Sequence, residues 1–246
     1  MFKKISSVVL LIFTLGCLYF MSKGLIGITA AYCLITFNIA RIFAEMYAAK
    51  LIANKLNISD SFKEEIPRKT GHMLISFITG PMIYFSFKGT YHMPLCIGII
   101  YIFVLIATKT GLLNIISRDE SSNYNNLEST KYFVFAALVH SIIAYFNPAY
   151  LMPMMLGIMA LGLGDPMACF MGKKFGKHKI YKNKTLEGFI GFIIGATIAM
   201  YIFSHITIWK LLIMAIAGAI TELVSEEKDN LNIQFVVAFV AYIILL

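Results

Sequence analysis

The chain has 246 residues, of which 59% are hydrophobic, against about 45–50% apolar in a soluble domain. Its mean hydropathy is +0.78 and its formal net charge is +8. That composition excludes an ordinary soluble domain, and basic residues confined to short loops between apolar runs exclude a nucleic-acid binder.

Long uncharged runs recur along the chain, each near the ~20 residues that cross a bilayer. In lipid such runs must be helices. The expectation is an all-α polytopic integral membrane protein, one domain over residues 1–246, with nine spans. These are 5–22, 24–48, 70–87, 93–112, 131–146, 149–164, 187–204, 207–224 and 231–246.

Lys3 and Lys4 before the first run also fit a signal peptide. Thr14-Leu15-Gly16-Cys17 is a poor lipoprotein cleavage site, because an aliphatic residue is wanted where Thr14 stands, so an uncleaved helix is expected. In the second run Arg41 and Glu45 lie four apart on one face. The run continues as an amphipathic helix through Lys50 and Lys55.

Glu64-Glu65-Ile66-Pro67-Arg68-Lys69-Thr70-Gly71-His72 leads into the third span. Pro67 fits the first turn of a helix. Arg68 and His72 share a helix face, with Lys69 beside them. A basic anchor explains Arg68 and Lys69 taken singly. His72 lies deeper, where a polar side chain needs a partner, and the three together could clamp a phosphate. After the fourth span, Arg118, Asp119, Glu120, Asn123, Asn125 and Asn126 form a polar loop.

The sixth span ends at Gly164-Asp165-Pro166, and a glycine-rich basic loop follows. It reads Asp-x-x-Ala-x-x-x-Gly-x-x-x-Gly, then lysines, then Lys-Thr-x-Glu-Gly at Lys184-Thr185-Leu186-Glu187-Gly188. Gly164, Gly172 and Gly176 let a backbone approach phosphate oxygens. Lys173, Lys177, Lys179 and Lys184 supply point charges, and Asp165 suits Mg²⁺. Singly, Asp165-Pro166 reads as a helix stop and N-cap, and Gly172 and Gly176 as close-packing positions. The assembly is harder to explain as packing. It is not a Walker A loop, because no Gly-x-x-x-x-Gly-Lys-Ser/Thr occurs. A late acidic group, Glu222, Glu226, Glu227 and Asp229 with Asn230, could also hold Mg²⁺; Glu222, nearest the membrane, is the better candidate.

Charge tests the span count. The N-terminus and the even loops hold 17 of the 21 Lys and Arg, the odd loops hold Lys23, Lys88 and Lys210, and Arg41 lies within a span. The positive-inside rule then puts the N-terminus, the even loops and the basic loop in the cytoplasm, and the C-terminus outside. The four cysteines are far apart, with no Cys-x-x-Cys, so each is expected to pack as a small apolar residue. His92, His140 and His205 stand alone and are expected to be structural or interfacial.

Together, Arg68-Lys69-x-x-His72, the Asp165-to-Gly176 spacing, Lys184-Thr185-x-Glu187-Gly188 and Glu222…Asp229-Asn230 resemble the CTP-dependent lipid kinases. That group comprises dolichol kinase, phytol kinase and CTP-dependent diacylglycerol kinase, and the resemblance covers roughly residues 60–235. It implies transfer of the γ-phosphate of CTP to a lipid alcohol, with Arg68, Lys69, Asp165, Gly172, Gly176, Lys184 and Glu187 in the nucleotide and metal site. Asp165 with Glu222 or Asp229 would hold Mg²⁺. A carboxylate or His72 would accept the alcohol's proton, and the sequence does not choose between them. Pro166 departs from the group's pattern, where Thr or Ala often follows the Asp. The short chain argues against a dolichol acceptor and leaves a prenol such as phytol or geranylgeraniol, or diacylglycerol.

Phosphatidate cytidylyltransferases share the lysine-loop pattern and are the first alternative. They also carry a C-terminal stretch with His-Gly-Gly, which this chain lacks. A small-molecule transporter is the second, but the polar residues gather at one membrane face rather than mid-span. The expected partners are the nucleotide, the lipid alcohol and membrane lipids of a bacterial-type inner membrane or an endomembrane. A homodimeric state stays open.

Overall fold

The computed structural model describes residues 13–110, 126–225 and 228–246. They form helices α1 (Phe13–Ser22), α2 (Ile28–Ala53), α3 (Asp60–Leu74), α4 (Gly80–Phe87), α5 (His92–Lys109), α6 (Asn126–Phe146), α7 (Leu151–Phe175), α8 (Leu186–Ser204), α9 (Ile208–Val224) and α10 (Asp229–Leu245). A π-helical turn, Ile75–Thr79, joins α3 to α4, and a 3-10 turn, Pro148–Tyr150, leads into α7. Each of the nine expected spans overlaps helix, the third being shared by the end of α3, the π turn and α4. Among the described residues, five segments are long and apolar enough to cross a membrane: α2, α5, Ser129–Phe146 of α6, Pro148–Phe175 and α8.

Apolar side chains cover the outside of the bundle. Ile102, Ile106, Trp209 and Phe239 are all more than half exposed, as expected where lipid rather than water is the solvent. The inside is made of methionine, alanine and glycine around α7. Its apolar window is 72% buried, against 28% for α2 and α5, so α7 is the central helix.

Small residues explain how closely α8 lies on α7. A Cβ on Gly188 would stand 3.0 Å from the Ala168 carbonyl oxygen. One on Gly191 would stand 2.8 Å from that of Met167, and one on Gly195 2.7 Å from that of Leu163. These are backbone atoms that cannot swing away, so the seam requires glycine.

Three sequence expectations change. Helix α3 begins at Asp60, so Pro67 lies inside it rather than in its first turn. Helix α2 ends at Ala53, before Lys55. Helix α7 runs through Asp165 and Pro166 to Phe175, so the first half of the expected loop is helix and Asp165 is neither a stop nor a cap. The remainder is a two-stranded antiparallel hairpin, β1 (Lys179–Tyr181) and β2 (Lys184–Thr185), between α7 and α8. Cys17 and Cys96 are buried as expected, whereas Cys33 is exposed. His140 bonds Tyr150 and His92 contacts Tyr32, which suits structural roles. Arg41 and Glu45, expected on one helix face, form an ion pair at 2.8 Å, and Arg41 also bonds Thr14 of α1.

Candidate active site

Helices α3 and α7 cross where both bury charge. Lys69 and Asp165, 96 residues apart, meet at 2.5 Å between Nζ and Oδ1. The second carboxylate oxygen, Oδ2, lies 3.1 Å from His72 Nδ1. Lys69 is 1% exposed, Asp165 4% and His72 5%. A buried lysine or carboxylate alone would be expensive, and pairing offsets most of that penalty. An ionised carboxylate only accepts hydrogen bonds, so His72 Nδ1 carries the proton. Nε2 is then left as the ring's acceptor, and it is buried with no hydrogen-bond partner. Phe133 of α6 stacks on the ring, with centroids 5.6 Å apart.

A second pairing lies one turn away. Arg68 donates from Nε and Nη2 to Glu65 Oε2, at 3.0 and 2.7 Å. Its Nη1 donates to Ser129 Oγ at 3.4 Å. Asn230, at the start of α10, donates to the same Ser129 oxygen at 2.6 Å and to the Ser129 carbonyl at 2.9 Å. Lys173 lies 3.8 Å from Glu65 Oε1. These bonds draw α3, α6, α7 and α10 to one end of the bundle.

A third pairing fixes the hairpin. Lys184 Nζ donates to Glu222 Oε1 at 2.5 Å and to the Glu222 carbonyl at 2.6 Å. Thr185 caps α8, its Oγ1 accepting from the Gly188 N–H at 3.2 Å. Glu187 Oε1 lies 2.7 Å from His178 Nδ1. Gly172 faces Thr185 and Gly188, and Gly164 faces Phe192. A Cβ on Gly176 would press on the Gly172 carbonyl oxygen and the Thr185 side chain. Each position of the Lys-Thr-x-Glu-Gly motif thus shapes the junction of α7, hairpin and α8.

These pairings alter the expected phosphate clamp. Arg68, Lys69 and Lys184 are each matched to a carboxylate. Gly164, Gly172 and Gly176 serve packing. Lys177, just before the hairpin, and Lys179 on β1 are exposed. Glu65, Ser129 and Phe133 are site members not expected from the sequence, whereas Asn230 was expected beside the late acidic group. Of those three, only Glu65 left a signal in the sequence, three residues before Arg68 on a helix.

The expected metal set does not form a cation cage. Both Asp165 oxygens are engaged, Glu222 holds Lys184, and Asp229 Oδ1 accepts from the Asn230 N–H at 2.7 Å. Among the described residues no three His, Cys, Asp or Glu converge as metal ligands. Asp165 is the counter-charge of Lys69 in this arrangement. Lys3, Lys4, Arg118, Asp119, Glu120, Asn123, Asn125, Glu226 and Glu227 lie outside the described residues.

An apolar cleft opens beside the charge centre. It holds about 1270 Å³ including its open mouth and is walled by α2, the α3–π–α4 segment, α5, α6 and α7. Ile42, Phe43, Ile83, Ile100 and Phe103 give its character, and Arg68 and His72 supply its basic lining.

Residues 2–244 match the sequence profile of the Cytidylyltransferase family. A dolichol kinase of Schizosaccharomyces pombe is 42% identical over 92 residues, which is 35% of this chain and 18% of the kinase. A dolichol kinase of Saccharomyces cerevisiae is 33% identical over 89 residues, 32% of this chain and 17% of the kinase. An uncharacterized protein of Methanocaldococcus jannaschii is 30% identical over 191 residues, 72% of this chain and 92% of that protein. The chain therefore aligns with a small part of each named kinase and with nearly all of the archaeal relative. No solved structure matches it.

Proposed function

The chain belongs to the Cytidylyltransferase family, and we propose that within it the protein is a CTP-dependent lipid kinase. It transfers the γ-phosphate of CTP to the hydroxyl of a membrane lipid alcohol, a prenol or diacylglycerol. One observation carries this reading: a buried charge centre borders a wide apolar cleft in a membrane-type bundle. The cleft suits an aliphatic tail, and Arg68 and His72 on its wall suit the polar head. The likeness to two dolichol kinases supports the lipid acceptor and a kinase reaction.

Phosphoryl transfer demands positioning and charge neutralisation more than covalent help from the protein. The exposed Lys179 of the hairpin and Lys177 just before it, with Lys173, meet the phosphates on the cytoplasmic face. CTP brings Mg²⁺ with it as part of the substrate. Arg68, released in part from Glu65, follows the charge that develops on the transferred group.

A cytidylyltransferase is the second reading, favoured by the family's own description. The two differ in product. A kinase leaves phosphate and no cytidine on the lipid and releases CDP. A cytidylyltransferase leaves cytidine on the lipid and releases pyrophosphate. Purified protein is incubated with CTP labelled separately in the base and the γ-phosphate, and with geranylgeraniol, phytol, diacylglycerol or phosphatidate. The expected result is γ label in the lipid fraction with no base label. Base label without γ label establishes the cytidylyltransferase, and no transfer to any lipid removes both readings.

A further inference from the structure

We infer that His72 is the general base of this site, taking the acceptor hydroxyl's proton on Nε2, and that Asp165 is the positioning residue that orients it. The inference rests on the lipid kinase reading above. It begins from a buried atom that is out of place. A buried polar atom without a partner is uncommon and destabilising. His72 Nε2 is such an atom, on a ring that is 5% exposed and lines the apolar cleft.

The ring is held in one chemical form. Asp165 receives Lys69 on Oδ1 and His72 on Oδ2. The lysine keeps the carboxylate ionised, the carboxylate keeps the proton on Nδ1, and the Nε2 lone pair is left free. Phe133, which also lines the cleft, fixes the ring plane by stacking. A carboxylate that locks an imidazole tautomer while the far nitrogen faces a substrate is a general-base arrangement. The other candidates are weaker. Asp165, Glu65 and Glu222 each already neutralise a cation, through Lys69, Arg68 and Lys184.

The reaction balances. The lipid oxygen forms a bond to the γ-phosphorus, and the bond from that phosphorus to the β,γ-bridging oxygen breaks. CDP leaves with that electron pair. The hydroxyl proton moves to Nε2, giving an imidazolium that Asp165 stabilises until the proton passes to water.

The test contrasts two acceptors. One is the lipid alcohol that wild-type protein uses best in the labelling experiment. The other is its analogue fluorinated beside the carbinol carbon, whose hydroxyl is more acidic and needs less help from a base. His72→Gln is expected to lower kcat about 10²–10³-fold on the ordinary alcohol, within the range for a general base. On the fluorinated analogue the loss should be at least about tenfold smaller, with KM for CTP unchanged. Equal losses on both acceptors, or a loss confined to KM for the lipid, would overturn the assignment. Where His72→Gln does not fold, Lys69→Met combined with Asp165→Asn serves instead, since it keeps the imidazole and removes what fixes its tautomer. The same contrast between acceptors is expected there, and its absence overturns the proposal. Wild-type protein that transfers no phosphate at all defeats the kinase reading itself, a separate outcome.

Discussion

At the residue scale, Asp165 is the position where stability and chemistry meet. It neutralises Lys69 and orients His72, all three nearly fully buried. Removing one member of a buried pair strands the other charge, which costs about 3–5 kcal/mol. Replacing both members is often neutral, because the desolvation penalty disappears along with the attraction. Asp165→Asn should therefore lower the thermal midpoint in detergent strongly and cut transfer to the ordinary alcohol sharply. Adding Lys69→Met to that variant should restore most of the midpoint and leave that loss of transfer unrepaired. Were Asp165 only a metal ligand, Lys69→Met would give no such rescue, and the thermal scans of the two variants would show it.

At the element scale, the α7–α8 seam carries the hairpin to its place beside α9. Thr185 caps α8 directly above Gly188, and Lys184 ties the hairpin to Glu222. Helix propensity alone favours alanine over glycine by up to about 1 kcal/mol. In the seam the carbonyl contacts reverse that sign. Gly195→Ala should lower the thermal midpoint, because its Cβ would stand 2.7 Å from the Leu163 oxygen, and overpacking of this kind costs about 1–3 kcal/mol. Gly98→Ala on α5, where the nearest atom is a Leu138 methyl at 3.8 Å, should be neutral or stabilising. A seam variant as stable as the Gly98 variant would mean that α8 can move off α7 freely.

The same elements mark what the sequence could and could not disclose. Apolar runs of bilayer length were legible, and so was the Arg41–Glu45 pair, since four residues along a helix is a fixed geometry. The end of α7 was not. Asp165-Pro166 has the local chemistry of a terminus, yet the helix continues because the surrounding bundle buries both residues and glycine packing holds α8 along it. Tertiary packing overrides local preference in this way. The clamp of cations was legible as a cluster of residue types. That Lys69 meets Asp165 and Lys184 meets Glu222 was not, because these pairs lie on different elements far apart in sequence.

At the scale of the whole molecule, we propose one orientation from the charge asymmetry. Basic residues divide 17 to 3 between the two alternating sets of loops, and such loops stay in the cytoplasm during insertion. In that proposal the N-terminus and the β1–β2 hairpin share the cytoplasmic side, where CTP is found, and Lys88 between α4 and α5 faces out. The apolar exterior and the cleft among α2, α5 and α6 fit a lipid that reaches the site from within the bilayer. In a cysteine-free background, His178→Cys should react with a membrane-impermeant maleimide only after sealed right-side-out vesicles are opened. Lys88→Cys should react before opening. Both positions lie in connections outside the helices, and His178→Cys gives up only the exposed contact with Glu187. Labelling of position 178 in intact vesicles would place the hairpin outside, away from the nucleotide. The nine-span arrangement and the kinase reading would then fall together, because an odd number of errors in span count reverses every loop that follows.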